Sequence, residues 1–410
     1  MTNKSDVYDV VVLGGGVAGV SAAIAAKESG AKTILIEKSG YLGGMVTGCY
    51  VVALCGMYAG KFDERQVVKG NFTKITDRAI REGFAEWTKW NVRLEDKSLG
   101  REVTVDPEGF KYVLDLVTLE AGVDLRFHSC ACHAKVEDNK LKFIDFFDKF
   151  DARVIGGKTF IDCTGDADTA MWCGLDYIKG YGVTIGVRFG GLDVSKIKEE
   201  DIETIRYNDA SFNPYGWTSI FNDNTERFYD GGHIDGIDGL NVEDITWAEI
   251  SGRATAQQAL KDLKNKPGYK DAYVISTGTH IGQRKTRAPF NQYHLSDLDE
   301  NKDFEDSIAI AGNVMADHGY MKIPYRALLP KKIDNLIFAG RCISPVNQDI
   351  RGERKVNGLA YEIPRLVAPS MATGEAAGVA AAMSADKNLS FSDLDVKDIQ
   401  KKLEERGAIF

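Results

Sequence analysis

Residues 8–45, YDVVVLGGGVAGVSAAIAAKESGAKTILIEKSGYLGGM, leave few options for how this chain begins to fold. Val7 to Leu13, apart from Asp9, is an apolar run rich in β-branched residues, which suits a strand buried on both faces of a parallel sheet. Gly14, Gly16 and Gly19 then read G-x-G-x-x-G. Gly14 permits a tight turn, Gly16 lets a pyrophosphate approach the backbone, and Gly19 lets the following helix pack on the strand, with Val17 and Ala18 in the first turn. Ala18 to Ser29 reads as that helix, Gly30 as its stop and Thr33 to Ile36 as a second strand. Glu37 then falls at a strand end, where a carboxylate accepts both ribose hydroxyls of a dinucleotide and disfavours a 2′-phosphate.

The motif alone leaves FAD and NAD open. The continuation KSGYLGGMVTG carries Gly40, Gly43, Gly44 and Gly48 without a regular period, as expected of backbone laid against a ligand that extends past the ribose.

At 410 residues the chain exceeds what one hydrophobic core usually supports, so two interleaved units are expected. The formal charge of −9 gives no footprint for nucleic acid or anionic membrane. No apolar stretch approaches the roughly 20 residues that span a bilayer, and the start MTNKSD does not read as a signal peptide, so a cytoplasmic protein is expected. Seven cysteines, an odd number, suit reduced thiols. Cys130, Cys132 and His133 read as a packed strand rather than a metal site, since alternation sends the histidine to the other face. Asp230, Asp235 and Asp238 miss the calcium-loop spacing and read as a surface turn.

Further along, apolar residues at helical spacing mark residues 62–92, and Pro107 and Gly122 bracket an amphipathic helix. Several short strands are expected from Val123 to Cys163, ending in TFIDCTGDAD, whose Gly-Asp turn and small-residue helix place backbone donors near a phosphate or ribose. The strand-like VTIGVRFGGLDV and a polar aromatic segment begin a cap, with a helix from Thr246 to Lys264. A strand from Ile333 to Ala339 ends at Gly340 and Arg341. PSMATGEAAGVAAAMSA is a helix whose small residues near its start, among them Gly374, Ala376 and Ala377, bring backbone to a ligand.

Together these stretches resemble the FAD-dependent oxidoreductase family with a glutathione-reductase-type flavin fold, whose branches include fumarate-reductase-like and heterodisulfide-reductase-A-like flavoproteins. The resemblance rests on GGGVAG, EKSGYLGGM, VDPEGFKYVLD, DCTGDADTA, G-x-R-x-T-R at Gly282 to Arg287, IPYRALLPKKIDNLIFAGRCIS and MATGEAAGVAAA, and is weak over residues 195–240. It implies an α/β fold: a Rossmann-type FAD-binding domain, residues 1–182 and 291–410, with an inserted α+β cap or substrate domain at 183–290. It also implies that Gly14, Gly16, Val17, Ala18 and Gly19 cradle the FAD pyrophosphate and Glu37 takes the ribose. Lys38, Gly43, Gly44 and Met45 would line the flavin side, and Asp166, Gly340, Arg341, Gly374, Ala376 and Ala377 would complete the site. The charged QDIRGERKVNGLAYEI is longer than the resemblance leads one to expect.

THIGQRKTRAPF supplies the candidate catalytic residues His280, Arg284 and Arg287. If the segment turns, the arginines converge on one anion; if extended, they face apart. Tyr325 and Arg326 are expected between cofactor and cap, and Cys49 and Tyr50 beside the flavin. The expected activity is hydride transfer, as dehydrogenation or reduction, on a small polar molecule such as a carboxylate. An electron-relay subunit is the alternative, although no cysteine cluster for an iron–sulfur centre is present. Expected partners are a small-molecule substrate and a separate electron donor or acceptor, with no nucleic acid and no membrane; homo-oligomerisation stays open.

Overall fold

The computed structural model describes residues 6–60, 63–87, 102–197, 205–207, 210–212, 218–220, 227–234, 236–343, 347–348, 354–355 and 358–410. The first part of the chain runs β1 (Asp6–Leu13), α1 (Val17–Glu28), β2 (Thr33–Ile36), α2 (Asn71–Arg81), α3 (Pro107–Glu120), β3 (Asp124–Arg126), β4 (Cys130–Glu137), β5 (Lys140–Phe147) and β6 (Ala152–Asp162). Next come β7 (Val183–Gly190), β8 (Arg227–Ile234), α4 (Val242–Leu263) and β9 (Tyr273–Thr277). The chain closes with β10 (Leu336–Phe338), α5 (Val367–Lys387) and α6 (Val396–Glu405).

The main sheet has the order β3-β2-β1-β6-β5-β4, with β10 also paired to β6. Pairs among β3, β2, β1, β6 and β10 are parallel, whereas β4 and β5 form an antiparallel flap on the N-terminal half of β6. The expected short strands are thus two of eight residues and one of eleven after a three-residue start. Cys130, Cys132 and His133 all lie in β4, where the Cys132 thiol donates to Asp145 O at 3.3 Å.

Register decides where the site forms. Leu13 stands opposite Ile36 and Asp162, and Asp162 opposite Phe338, so the four turns after these residues open along one carboxyl edge. In a parallel sheet that edge is where ligands bind.

α1 and α5 cross backbone to backbone behind this edge. A Cβ at Gly374 would sit 2.2 Å from Ala18 O, and one at Gly378 2.2 Å from Ala22 O. This corrects the expectation for the small-residue helix. It begins at Val367, so Gly374, Ala376 and Ala377 lie buried in its body, and Gly374 and Gly378 serve helix packing.

β7, β8 and β9 belong to a second, antiparallel sheet. Val183, Ile185, Val187 and Phe189 pack with Ala248, Ala256 and Leu260 of α4 in a core of their own. α4 starts earlier than expected because Asn241 caps it, its side-chain oxygen accepting from Asp244 N at 2.9 Å. Asp230 lies in β8 rather than a turn, and Asp235 falls outside the described residues. So do residues 62 and 88–92 of the expected helical stretch and 349–353 and 356–357 of the charged insertion.

Among the described residues, Tyr325 and Arg326 find their side-chain partners outside the second sheet. The Tyr325 hydroxyl donates to Phe391 O at 3.0 Å, and Arg326 pairs with Asp306 at 2.7 Å beside the Tyr293 and Phe304 rings. Among the described residues no helix is long and apolar enough to cross a membrane.

Candidate functional site

The glycine turn after β1 is shaped by what its neighbours forbid. Gly14 has φ +97°, and a Cβ there would meet Cys163 O at 2.5 Å; a Cβ at Gly19 would meet Gly14 O at 1.8 Å. Gly16 differs, since a Cβ placed on it finds nothing within 4 Å. It faces open space and caps α1 without a side chain, leaving the first-turn N–H groups for an outside acceptor. The turn therefore fits a pyrophosphate.

The second glycine stretch lies on the first. Gly43 N donates to Gly15 O at 2.8 Å, Gly16 and Gly43 form a parallel bridge, and a Cβ at Gly44 would stand 3.0 Å from Gly16 Cα. Glu37 is buried beside them: one carboxylate oxygen accepts from Gly15 N at 2.6 Å, the other from Ser39 N at 2.7 Å. Each oxygen keeps acceptor capacity for a ribose hydroxyl. Lys38 is exposed next to it.

Past β6 and β10 the turns meet. Arg341 Nη2 donates to Asp166 Oδ1 at 3.0 Å, and Arg341 Nη1 also donates to Gln283 O. Gly340, with φ +68°, donates its N–H to Thr373 Oγ1 at 3.0 Å and leaves 2.8 Å between its would-be Cβ and Ala18 Cβ. The short helix Asp168–Trp172 departs from expectation. Buried Asp162 takes Thr169 N at 3.0 Å, so that donor is not left for a phosphate.

Residues 278–287 run past three of these parts. His280 Nδ1 lies 3.2 Å from Cys49 Sγ, and a Cβ at Gly282 would be 2.8 Å from Met45 Cε. Gln283 O receives Arg341, while Thr286 Oγ1 donates to Gly165 O at 3.3 Å. The strip thus joins the flavin-side loop, the β6 turn and the β10 turn.

Its two arginines diverge rather than converge on one anion. Arg287 begins a short strand, Arg287–Pro289, paired with Tyr177–Lys179, and its Nη1 donates to Asp168 at 2.8 Å and to Asp166 O at 3.0 Å. Its side chain is only 8% exposed. Burial, with Asp166 and Asp162 nearby, pushes the Asp168 carboxyl up to about 6, against the pull of Arg287 and Lys38. Arg284 instead reaches Glu362 Oε2 at 3.1 Å.

That glutamate gathers a cluster the sequence did not single out. Arg365 Nη2 donates to the same Glu362 oxygen, the Tyr361 hydroxyl donates to Arg284 O, and Lys285 Nζ lies 5.8 Å from the Tyr361 ring centroid. Burial would raise Glu362, but Arg365 and Arg284 hold its carboxyl below the usual range. Three cations around one carboxylate sit just ahead of α5, whose N-cap Leu366 supplies no side-chain acceptor. The sequence clue was an arginine two residues before a Pro-bearing helix start.

Comparison with known proteins agrees with this geometry. Residues 9–403 match the family described as FAD dependent oxidoreductase, and the chain belongs to that family. A fumarate reductase (cytochrome) of Shewanella frigidimarina is 48% identical over 72 residues, 18% of this chain and only 11% of that protein. Among solved structures, a geranylgeranyl bacteriochlorophyll reductase-like protein from Thermoplasma acidophilum superposes with TM-score 0.54 at 15% identity, covering 98% of this chain and 84% of that one. The p-nitrophenol 4-monooxygenase from Pseudomonas putida gives 0.51 at 12% identity, covering 98% and 84%. A flavin-dependent brominase gives 0.54 at 12%, covering 97% and 83%. These likenesses confirm the Rossmann-type flavoprotein fold, and the cofactor of the family is FAD.

Proposed function

We propose that this FAD-dependent oxidoreductase dehydrogenates or reduces a small polar carboxylate, with its substrate unit formed by residues 183–290 inserted between the two parts of the FAD-binding unit. Bound FAD supplies the two-electron acceptor or donor. The chain's own residues do the rest. Gly14, Gly16, Val17, Ala18 and Gly19 hold the pyrophosphate, Glu37 the ribose, and Lys38, Gly43, Gly44 and Met45 line the flavin side. Asp166, Gly340 and Arg341 close the cofactor site, with Gly374, Ala376 and Ala377 supporting it from behind by fixing α5 against α1.

One observation carries the substrate class: Arg284 and Arg365 share a single oxygen of Glu362 at the start of α5. Paired guanidinium forks suit a carboxylate, and the helix start adds a field of the same sign. Arg284 and Arg365 therefore anchor the substrate, while His280 exchanges a proton with it. Arg287, held by Asp168 and the Asp166 carbonyl, supports the cofactor turn.

Anaerobic mixing of the flavin-loaded protein with small carboxylic acids and with their neutral amides tests this. The reading expects the carboxylates alone to change the flavin absorbance. Equal responses to the amides would remove the carboxylate from the account.

A further inference from the structure

The Cys49 thiol is fully buried and its sulfur has two close polar neighbours on the candidate proton-transfer residue. Sγ lies 3.2 Å from His280 Nδ1 and 3.2 Å from His280 O. Nδ1 is also 3.0 Å from Ile281 O. A carbonyl oxygen only accepts, so the single thiol proton goes to His280 O and the sulfur turns an acceptor toward the ring. Nδ1 then faces two acceptors, the sulfur and Ile281 O, and the ring satisfies them by carrying its proton there.

The consequence falls on the other nitrogen. Nε2 stands 3.8 Å from Sγ and 2.8 Å from where a Cβ on Gly48 would be. A side chain at that position would cover Nε2. The backbone locks this arrangement from both sides. Thr279 N donates to Gly48 O at 2.7 Å, and Ile281 N donates to Glu249 Oε1 at 2.5 Å. A Cβ at Gly186 would fall 2.0 Å from Cys49 O.

We propose that Cys49 is a positioning residue that fixes the Nδ1–H form of His280 and so presents Nε2 as the atom that exchanges a proton with the substrate. The inference rests on the reading of His280 as the proton-exchanging group. In the oxidative direction the Nε2–H bond forms as a substrate O–H or C–H bond breaks. The electron pair and second hydrogen leave to the FAD that defines the family, and the imidazolium later returns its proton to water. In the reductive direction the same transfers reverse. The principle is the familiar one that a ring nitrogen's hydrogen bond sets the role of its partner nitrogen.

Two readouts test it, on the flavin-loaded full chain. The first is the ¹⁵N spectrum of histidine-labelled protein, with His280→Gln identifying the signal; it reports the tautomer without turnover. The second is the pH dependence of kcat/KM. Wild type is expected to show the Nδ1–H form, Cys49→Ala a mixed one, and Cys49→Ser, which keeps a donor and acceptor, the wild-type form again. With Cys49→Ala the pH profile should differ from that of wild type, because Nδ1–H loses one of its two acceptors and the ring no longer holds a single tautomer. An unchanged tautomer and profile in Cys49→Ala, while His280→Gln abolishes turnover, overturns the role of Cys49 alone. Full turnover in His280→Gln overturns the reading of His280 itself.

Discussion

Arg341 and Asp166, 175 residues apart in sequence, form an ion pair at 3.0 Å across two neighbouring strand ends. Pairing of Phe338 with Asp162 makes this possible, because it sets the turns after β10 and β6 side by side. Both side chains are largely buried, at 15% and 8% exposure, so neither charge is well served by water alone.

Arg341→Met should therefore leave Asp166 as a buried unpaired carboxylate and cost about 3 kcal/mol in urea unfolding, while weakening flavin retention. Adding Asp166→Asn should recover part of the stability. A single variant as stable as wild type would show that the pair does not tie the two turns together.

Arg287 is expected to matter for stability first. Its guanidinium packs against Asp168 and Asp166 O, and its Nε is a buried donor without a partner among the described residues. Arg287→Met should cost roughly 1–3 kcal/mol, less than loss of a fully buried pair, because Asp168 keeps 32% of its side chain exposed. It also removes a charge that holds Asp168 down, so the Asp168 midpoint should climb further above about 6. A variant with normal unfolding and normal flavin content but a raised KM would return Arg287 to the substrate.

Substrate anchoring should separate from this. Arg365→Met and Arg284→Met are each expected to raise KM for a carboxylate substrate by about tenfold or more, the equivalent of about 1.4 kcal/mol, with the bound flavin retained. Unchanged KM in both variants would place the anion elsewhere.

Glu102 gives a pH signature. It precedes the strand Val103–Val105, is 7% exposed, and makes no hydrogen bond or ion pair among the described residues. Burial raises its carboxyl from 4.5 to about 7. The folded state then binds more protons than the unfolded one between these values, so stability falls as pH rises through this window and levels off above it. The difference between 4.5 and about 7 sets an upper bound of roughly 3–4 kcal/mol. Glu102→Gln should lose this slope, and its Tm relative to wild type should rise from pH 4.5 to pH 8. Parallel Tm curves for the two proteins would contradict the assignment.

The parts of the site that were legible in sequence are local ones. β1, the glycine turn, α1 and β2 follow one another within thirty residues, and each carries its own periodicity or stop signal. Partners set by sheet order were not legible. Nothing near Arg284 names Glu362 or Arg365, and nothing near Cys49 names His280; these contacts span 78 and 231 residues. The small residues of α5 mark a close approach in sequence but not its partner, which is α1, because Gly374 and Gly378 recur at the four-residue spacing that lets two helices meet. Arg326 departs from its expected place for the same reason: its partner Asp306 lies twenty residues back on a different connection.

The most direct test contrasts two glycines of one turn. Gly16 has ordinary φ and open space where a Cβ would go, whereas a Cβ at Gly19 meets Gly14 O. Gly16→Val should lose no more than the roughly 1 kcal/mol of a poorer helix N-cap in the flavin-free protein and yet fail to retain FAD, while Gly19→Val should lose several times that stability. Gly16→Val that keeps a full complement of FAD would contradict the assignment of this turn to the cofactor.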